Sequence, residues 1–316
     1  MENYSVHKGL GFIFPGQGSQ KIGMLAELAK KYPVIIETYS EASDVLSYDL
    51  WDLSQNGTKE EIMLTERTQP LLLTASVALW KVWRQEGGPL PEIMAGHSLG
   101  EWSALVCSEV VEFKDAVRLV RNRGAYMQEA VPLGEGAMAA VIGLDDKTIK
   151  SICRESCQDQ EVTAVNFNSP GQVVIAGNLA AVNRAMISCK EAGAKRVVSI
   201  PVSAPFHTSL MKPAAQRLSE DIDRTNFSSP RVLIVHNVNA ETELNPQKIK
   251  NLMIEQISRP VLWVDCINFA AQKGISDLVE CGAGKVLGGL CKRINNSLGI
   301  YSTEDITSLN LALSEI

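Results

Sequence analysis

The chain reads as an α/β protein: a large domain on a mainly parallel sheet, interrupted by a smaller α+β insertion. Two patterns carry this reading. Strand–helix units recur through the first 130 residues, which points to a parallel sheet covered by helices. The order then changes to β-α-β-β-α-β between residues 130 and 203. At 316 residues the chain is long enough for two cores.

The elements follow in order. Residues 8–14 form an apolar run that reads as a buried strand, and the glycine-rich loop Pro15-Gly16-Gln17-Gly18-Ser19-Gln20 follows it. An apolar-periodic stretch starts at Met24. Residues 69–86 predict a long apolar helix with Pro70 in its first turn. Ile93-Met94-Ala95 leads into Gly96-His97-Ser98-Leu99-Gly100, and Glu101–Val106 leads out with helical character. Residues 113–129 predict a helix carrying Arg118, Arg121 and Arg123. In the insertion, strands are expected at 137–142, 162–167, 172–176 and 196–200, with helices at 145–156 and 180–192. The turn Asn168-Ser169-Pro170-Gly171 joins the central strands. This is the ferredoxin-like order. Strand-like 231–236 and 278–279 return to the first pattern. The division is therefore 1–129 with 204–316, and 130–203.

Composition narrows the function. Charged residues make up 21% of the chain, as in soluble globular proteins, and no apolar run reaches membrane-spanning length. The opening Met1-Glu2-Asn3-Tyr4-Ser5 lacks the pattern of a signal peptide, so a cytoplasmic protein without a membrane partner is expected. A net charge of −6 argues against a nucleic-acid partner. Seven scattered cysteines contain no C-x-x-C pair and suit reduced thiols. Cys153 and Cys157 have no visible partner pair, so no metal site is expected.

Gly96–Gly100 matches G-x-S-x-G, the nucleophile elbow. The same five residues also occur as an ordinary turn; the strand before and the helix after favour the elbow. In that geometry Ser98 is an exposed nucleophile, and the Leu99 N–H can stabilise an oxyanion. A serine needs a base. Of four histidines, His97 adjoins Ser98, but strand alternation turns it to the opposite side, beneath the elbow. His7 falls in a polar tail and His236 in a strand. His207, beside Pro205 and Phe206, reads equally as base or structural residue. On spacing alone Arg123 is a surface residue of its helix. The loop at Gly16–Gly18 lacks the Gly-Lys-Ser/Thr ending of a triphosphate site.

Six segments in this order resemble the malonyl-CoA:acyl carrier protein transacylase family across nearly the whole chain. They are Phe14–Gln20, Gly96–Glu101, Arg123-Gly124 with Met127-Gln128, Asn166–Gln172, Pro205–Thr208 and Gln256–Val261. The resemblance implies a hydrolase-like α/β domain with a ferredoxin-like insertion. It implies Ser98 as nucleophile and His207 as base, oriented by a carbonyl in the segment of Gln256, a supporting residue. The Gln17 N–H joins that of Leu99 in the oxyanion hole. Arg123 takes the malonyl carboxylate, a task suited to a planar guanidinium. Asn168 is read as a turn residue and left outside the catalytic set.

The implied reaction is ping-pong transfer of malonyl from malonyl-CoA to acyl carrier protein, a transient partner, in fatty acid synthesis, with no metal or redox cofactor. Both partners are acidic, so a local basic rim is expected, with Lys190, Lys195, Arg196, Lys212, Lys285 and Arg293 as candidates. Phe206 fills space a branched acyl group would need. Trp102 stands where tyrosine is usual in the family, and Cys281-Gly282-Ala283-Gly284 replaces a commoner Gly-Pro-Gly. Neither departure touches the expected chemistry.

Overall fold

A computed structural model describes residues 6–202 and 204–316. The first five residues and the boundary at Ser203 lie outside the described residues. Nine strands occur among them: β1 (Val6–Phe14), β2 (Leu90–Gly96), β3 (Gly136–Ile142), β4 (Val162–Ser169), β5 (Gln172–Asn178), β6 (Arg196–Ile200), β7 (Leu233–Val235), β8 (Asp277–Glu280) and β9 (Gly299–Ser302). They form two sheets. One has the order β7-β2-β1-β8-β9 with every pair parallel. The other has the order β4-β5-β3-β6 with every pair antiparallel.

Alternation along β1 explains its central place. Leu10, Phe12 and Phe14 face one core and Ile13 the other, all with essentially no exposure. Phe12 packs edge-on against Trp80 and Trp83, at 5.1 and 5.2 Å between ring centres. On the other face Ile13 shares a cluster with Ile93, Trp263 and Leu287. A parallel sheet buried on both faces presents its open crevice at the carboxyl ends of the strands. The ends of β1, β2 and β7 lie side by side there.

Several boundaries differ from expectation. The long helix runs Thr65–Gln85, with Pro70 in its interior rather than its first turn. The extra turn is held by packing: a Cβ on Gly124 would lie 2.6 Å from the Thr65 carbonyl oxygen, so only glycine lets the two helices meet. The strand expected at 231–236 shrinks to β7. Its flanks leave the ladder because the Arg231 and Val232 N–H groups bond to Ser108, and the His236 N–H bonds to Glu241. β4 extends to Ser169, so the turn is only Pro170-Gly171. His7 lies in β1 opposite Pro91, not in a tail. β9 is too short and too weakly patterned to have been expected.

Candidate active site

At the end of β2 the backbone turns through Ser98, with φ 52° and ψ −105°, a conformation costly for a residue with a side chain. Two glycines permit the close approach. A Cβ on Gly96 would overlap the Gly100 backbone, and one on Gly100 would overlap the carbonyl of Phe14. The helix Leu99–Cys107 starts directly after the serine. Its first N–H, that of Leu99, lacks an intrahelical acceptor. The loop after β1 lies alongside: the His97 N–H donates to the Phe14 carbonyl at 3.0 Å, and Gln17 lines the same cavity as Ser98 and Leu99.

His207 meets Ser98, with Nε2 2.8 Å from Oγ. Its Nδ1 lies 2.7 Å from the Gln256 carbonyl oxygen. A carbonyl only accepts, so Nδ1 carries the proton and the Nε2 lone pair faces the serine hydroxyl. His207 is 3% exposed and also has positive φ, 64°. Burial, and then the positive charge of Arg123, pull its pKa down to about 3. The imidazole is neutral at ordinary pH, as a base must be.

Arg123 is buried, at 2% exposure, and not on the surface. One Nη donates to Gln69 Oε1 at 2.8 Å. The other donates to Gln256 Oε1 at 3.0 Å and to Ser98 Oγ at 3.1 Å. Its Nε has no partner, and among the described residues no carboxylate comes within ion-pair distance. Burial pulls the guanidinium down to about 10, with the negative charge of Glu101 acting in the opposite sense. On the same helix, Arg118 and Arg121 are half-exposed and pair with Asp115 and Glu66.

Ser98, His207, Arg123 and Gln69 line a cavity of about 120 Å³, together with Met127, Phe206 and, from the antiparallel sheet, Met138, Asn166 and Ile200. A larger cleft of about 750 Å³, near Tyr48, Arg67 and Arg118, holds neither serine nor histidine.

His97 departs from expectation. Its ring lines the cavity instead of packing beneath the elbow. Strand alternation does not survive a turn at positive φ, so neighbours across it can face the same space. Its Nε2 bonds Asn168 Oδ1 at 2.8 Å, and its ring lies 5.5 Å from that of Trp263. Asn168 is thus more than a turn residue. His236 is fully buried beyond β7, with Nδ1 2.7 Å from Glu101 Oε1. Of the expected basic rim, Lys285 is already tied to Glu304 and Asp305 at 3.3 Å.

Three site residues escaped the sequence reading: Gln69, Glu101 and Asn237. Buried Glu101 accepts from Gln256 Nε2 at 2.7 Å and from the Asn237 N–H at 3.1 Å. It thereby fixes the side chain that meets Arg123. Gln69 carried a signal, a polar residue heading an apolar helical run. Asn237 carried none.

Residues 11–287 match the family model described as an acyl transferase domain. The malonyl CoA-acyl carrier protein transacylase of Salmonella typhimurium is 53% identical over 304 residues, covering 96% of this chain and 98% of that protein. A solved acyl carrier protein S-malonyltransferase from Vibrio cholerae superposes with a TM-score of 0.94 at 50% identity, covering 96% of this chain and 99% of that one. A malonyl-transacylase solved in complex with a type II polyketide acyl-carrier protein gives 0.96 at 50% identity, covering 97% and 99%.

Proposed function

The chain belongs to the acyl transferase family, among the relatives of malonyl CoA-acyl carrier protein transacylases, and we propose that it carries a malonyl group from malonyl-CoA to the phosphopantetheine thiol of acyl carrier protein. The observation that supports this acyl group is Arg123. A guanidinium buried without a carboxylate partner is destabilising by several kcal/mol. A substrate carboxylate supplies the missing partner, within reach of the nucleophile that the same guanidinium touches.

His207 removes the Ser98 proton as Oγ attacks the thioester carbonyl. The developing oxyanion rests on the Leu99 and Gln17 N–H groups. The C–S bond breaks, and CoA leaves as a thiol with the proton from His207. The carrier thiol then gives its proton to His207 and attacks malonyl-Ser98; the C–O bond breaks, and the serine leaves with that proton returned from His207. Gln256 acts twice, its carbonyl orienting His207 and its side chain holding Arg123. The sequence needs no metal or redox cofactor.

Residues 1–129 and 204–316 carry this chemistry, while 130–203 close the cavity and limit access of water to the acyl-enzyme. Lys190, Lys195, Arg196, Lys212 and Arg293 remain the proposed basic rim for CoA and the carrier. No helix among the described residues is long and apolar enough to cross a membrane. We place the protein in the cytoplasm, supplying fatty acid synthesis. Intact-mass measurement after mixing with malonyl-CoA tests the proposal: a long-lived malonyl adduct at Ser98 that clears on adding holo carrier protein supports transfer. Rapid release of free malonate without the carrier refutes it in favour of a hydrolase.

A further inference from the structure

The geometry points to Asn237 as the residue that sets the shape of the elbow: its side-chain amide holds Ser98 in the backbone conformation from which Oγ meets His207. This rests on the reading of Ser98 as nucleophile. β7 pairs with β2 only as far as Val235 opposite Ala95. Past that point the chain leaves the sheet, its His236 N–H turning to Glu241. Gly96 and Ser98 therefore have no strand neighbour on this side, yet their backbone groups still need partners.

Asn237 supplies both. Its Nδ2 donates to the Gly96 carbonyl at 2.7 Å, and its Oδ1 accepts from the Ser98 N–H at 2.7 Å. The amide orientation is unambiguous, because one partner only accepts and the other only donates. The amide takes the place of the peptide group that a longer β7 would have provided. Asn237 is itself fully buried and fixed, with its N–H on Glu101 and its carbonyl accepting from the Leu262 N–H at 3.0 Å.

Two consequences follow. The Ser98 N–H is occupied and cannot serve the oxyanion, which leaves that task to Leu99 and Gln17. Without the clamp, the elbow loses two bonds, one at the Gly96 carbonyl and one at the Ser98 N–H, that offset the strained φ of Ser98, and Oγ moves relative to both His207 and the oxyanion donors. A displacement of about 1 Å at such a centre lowers a rate by roughly 10²-fold. Aspartate at this position keeps an acceptor for Ser98 but loses the donor for Gly96; alanine loses both.

The test uses the full chain with Asn237→Ala and Asn237→Asp. Three quantities are read: the labelling rate of Ser98 by an alkyl fluorophosphonate, the rate of malonyl-Ser98 formation, and the Kd for malonyl-CoA in a Ser98→Ala background. Expected for Asn237→Ala is a fall of roughly 10²-fold in both rates with Kd unchanged. Asn237→Asp should fall between it and the wild type. Labelling at the wild-type rate in either folded variant overturns the assignment. So does a Kd weakened by the same factor as the rates, which marks general disruption. If the alanine variant does not fold, the size-conserving aspartate variant decides. Fluorophosphonate labelling is indifferent to the acyl group. A wild-type chain that labels but takes no malonyl group therefore refutes the proposed function, while slow labelling of the variants still upholds the clamp.

Discussion

In the antiparallel sheet, β3 pairs with β5 without interruption from Gly136–Asn178 to Ile142–Gln172, and its core of Val141, Ile149, Val173 and Ile175 is apolar. At the carboxyl end of the parallel sheet, Arg123, Glu101, His207, His236, Asn237 and Gln256 are all buried together. Two residues there, Ser98 and His207, face each other from positive φ. The β3–β5 pairing follows the ordinary rules of burial and register, while β4 slips register against β5 at two places. The second region departs from those rules, and most of its buried charged and polar groups touch the serine or a group bonded to it; Glu280, buried at the end of β8 against the Leu287 and Gly288 N–H groups, is an exception. Strain and buried charge are carried where chemistry needs preorganised groups, and the surrounding sheet supplies the stability to hold them.

The sharpest way to break this contrast is to remove the reacting atoms. Ser98→Ala should abolish the malonyl adduct in intact-mass spectra, and His207→Ala should lower transfer by roughly 10⁴- to 10⁶-fold. Persistence of the adduct in Ser98→Ala would place the nucleophile elsewhere. Arg123→Met comes next, and it should move stability and activity in opposite directions. Replacing an unpaired buried cation by an apolar side chain of similar length should stabilise the fold by about 1–4 kcal/mol. It should also cut malonyl transfer by roughly 10²-fold or more through loss of the carboxylate partner. Denaturant melts and transfer rates on one preparation check both signs; a destabilised Arg123→Met would mean that the arginine serves the fold.

His207 gives a pH test of intermediate size. Its pKa in the folded chain, about 3, lies below the ordinary 6.5. Between those values the unfolded chain binds more protons, so stability is fully present above pH 6.5 and is lost as pH falls toward 3. His207→Gln should flatten that dependence in pH-stepped denaturation. Glu280 acts in the opposite sense: burial pushes its carboxyl up to about 7, so its contribution is present below about 4.5 and is lost as pH rises through 7. Comparing Glu280→Gln with His207→Gln separates the two slopes.

The same contrast explains what could be read from the chain. β6 falls where residues 196–200 predict it, and the helix at 113–129 matches residue for residue, because strand alternation and helix periodicity are local signals. Ser98 is legible in its G-x-S-x-G setting between strand and helix, whereas His207, Arg123 and Gln256 stand out only because their motifs resemble a known family. Spacing alone left Arg123 on a surface and His207 undecided. Asn237 and Glu101 went unread because their roles depend on contacts across the chain: Ser98 meets Asn237 139 residues later, and Glu101 meets Gln256 after 155. His97 was misplaced because the turn at Ser98 breaks the alternation that would otherwise predict its direction.

The smallest expected effect tests the ordinary side of the contrast. Asp145 caps the helix Asp146–Cys157, accepting from the Thr148 N–H at 2.9 Å and from its hydroxyl at 2.6 Å. It is an exposed residue of the antiparallel unit and is absent from the cavity lining. Asp145→Ala should cost about 1 kcal/mol, as lost N-caps do. In a chain of this size that lowers Tm by only about 2–4 °C. Malonyl transfer at 25 °C should be unchanged within twofold. If the substitution instead slows transfer well beyond its effect on the folded fraction, then the antiparallel unit tunes the site through its own stability, and the division between a rule-abiding sheet and a rule-breaking one fails.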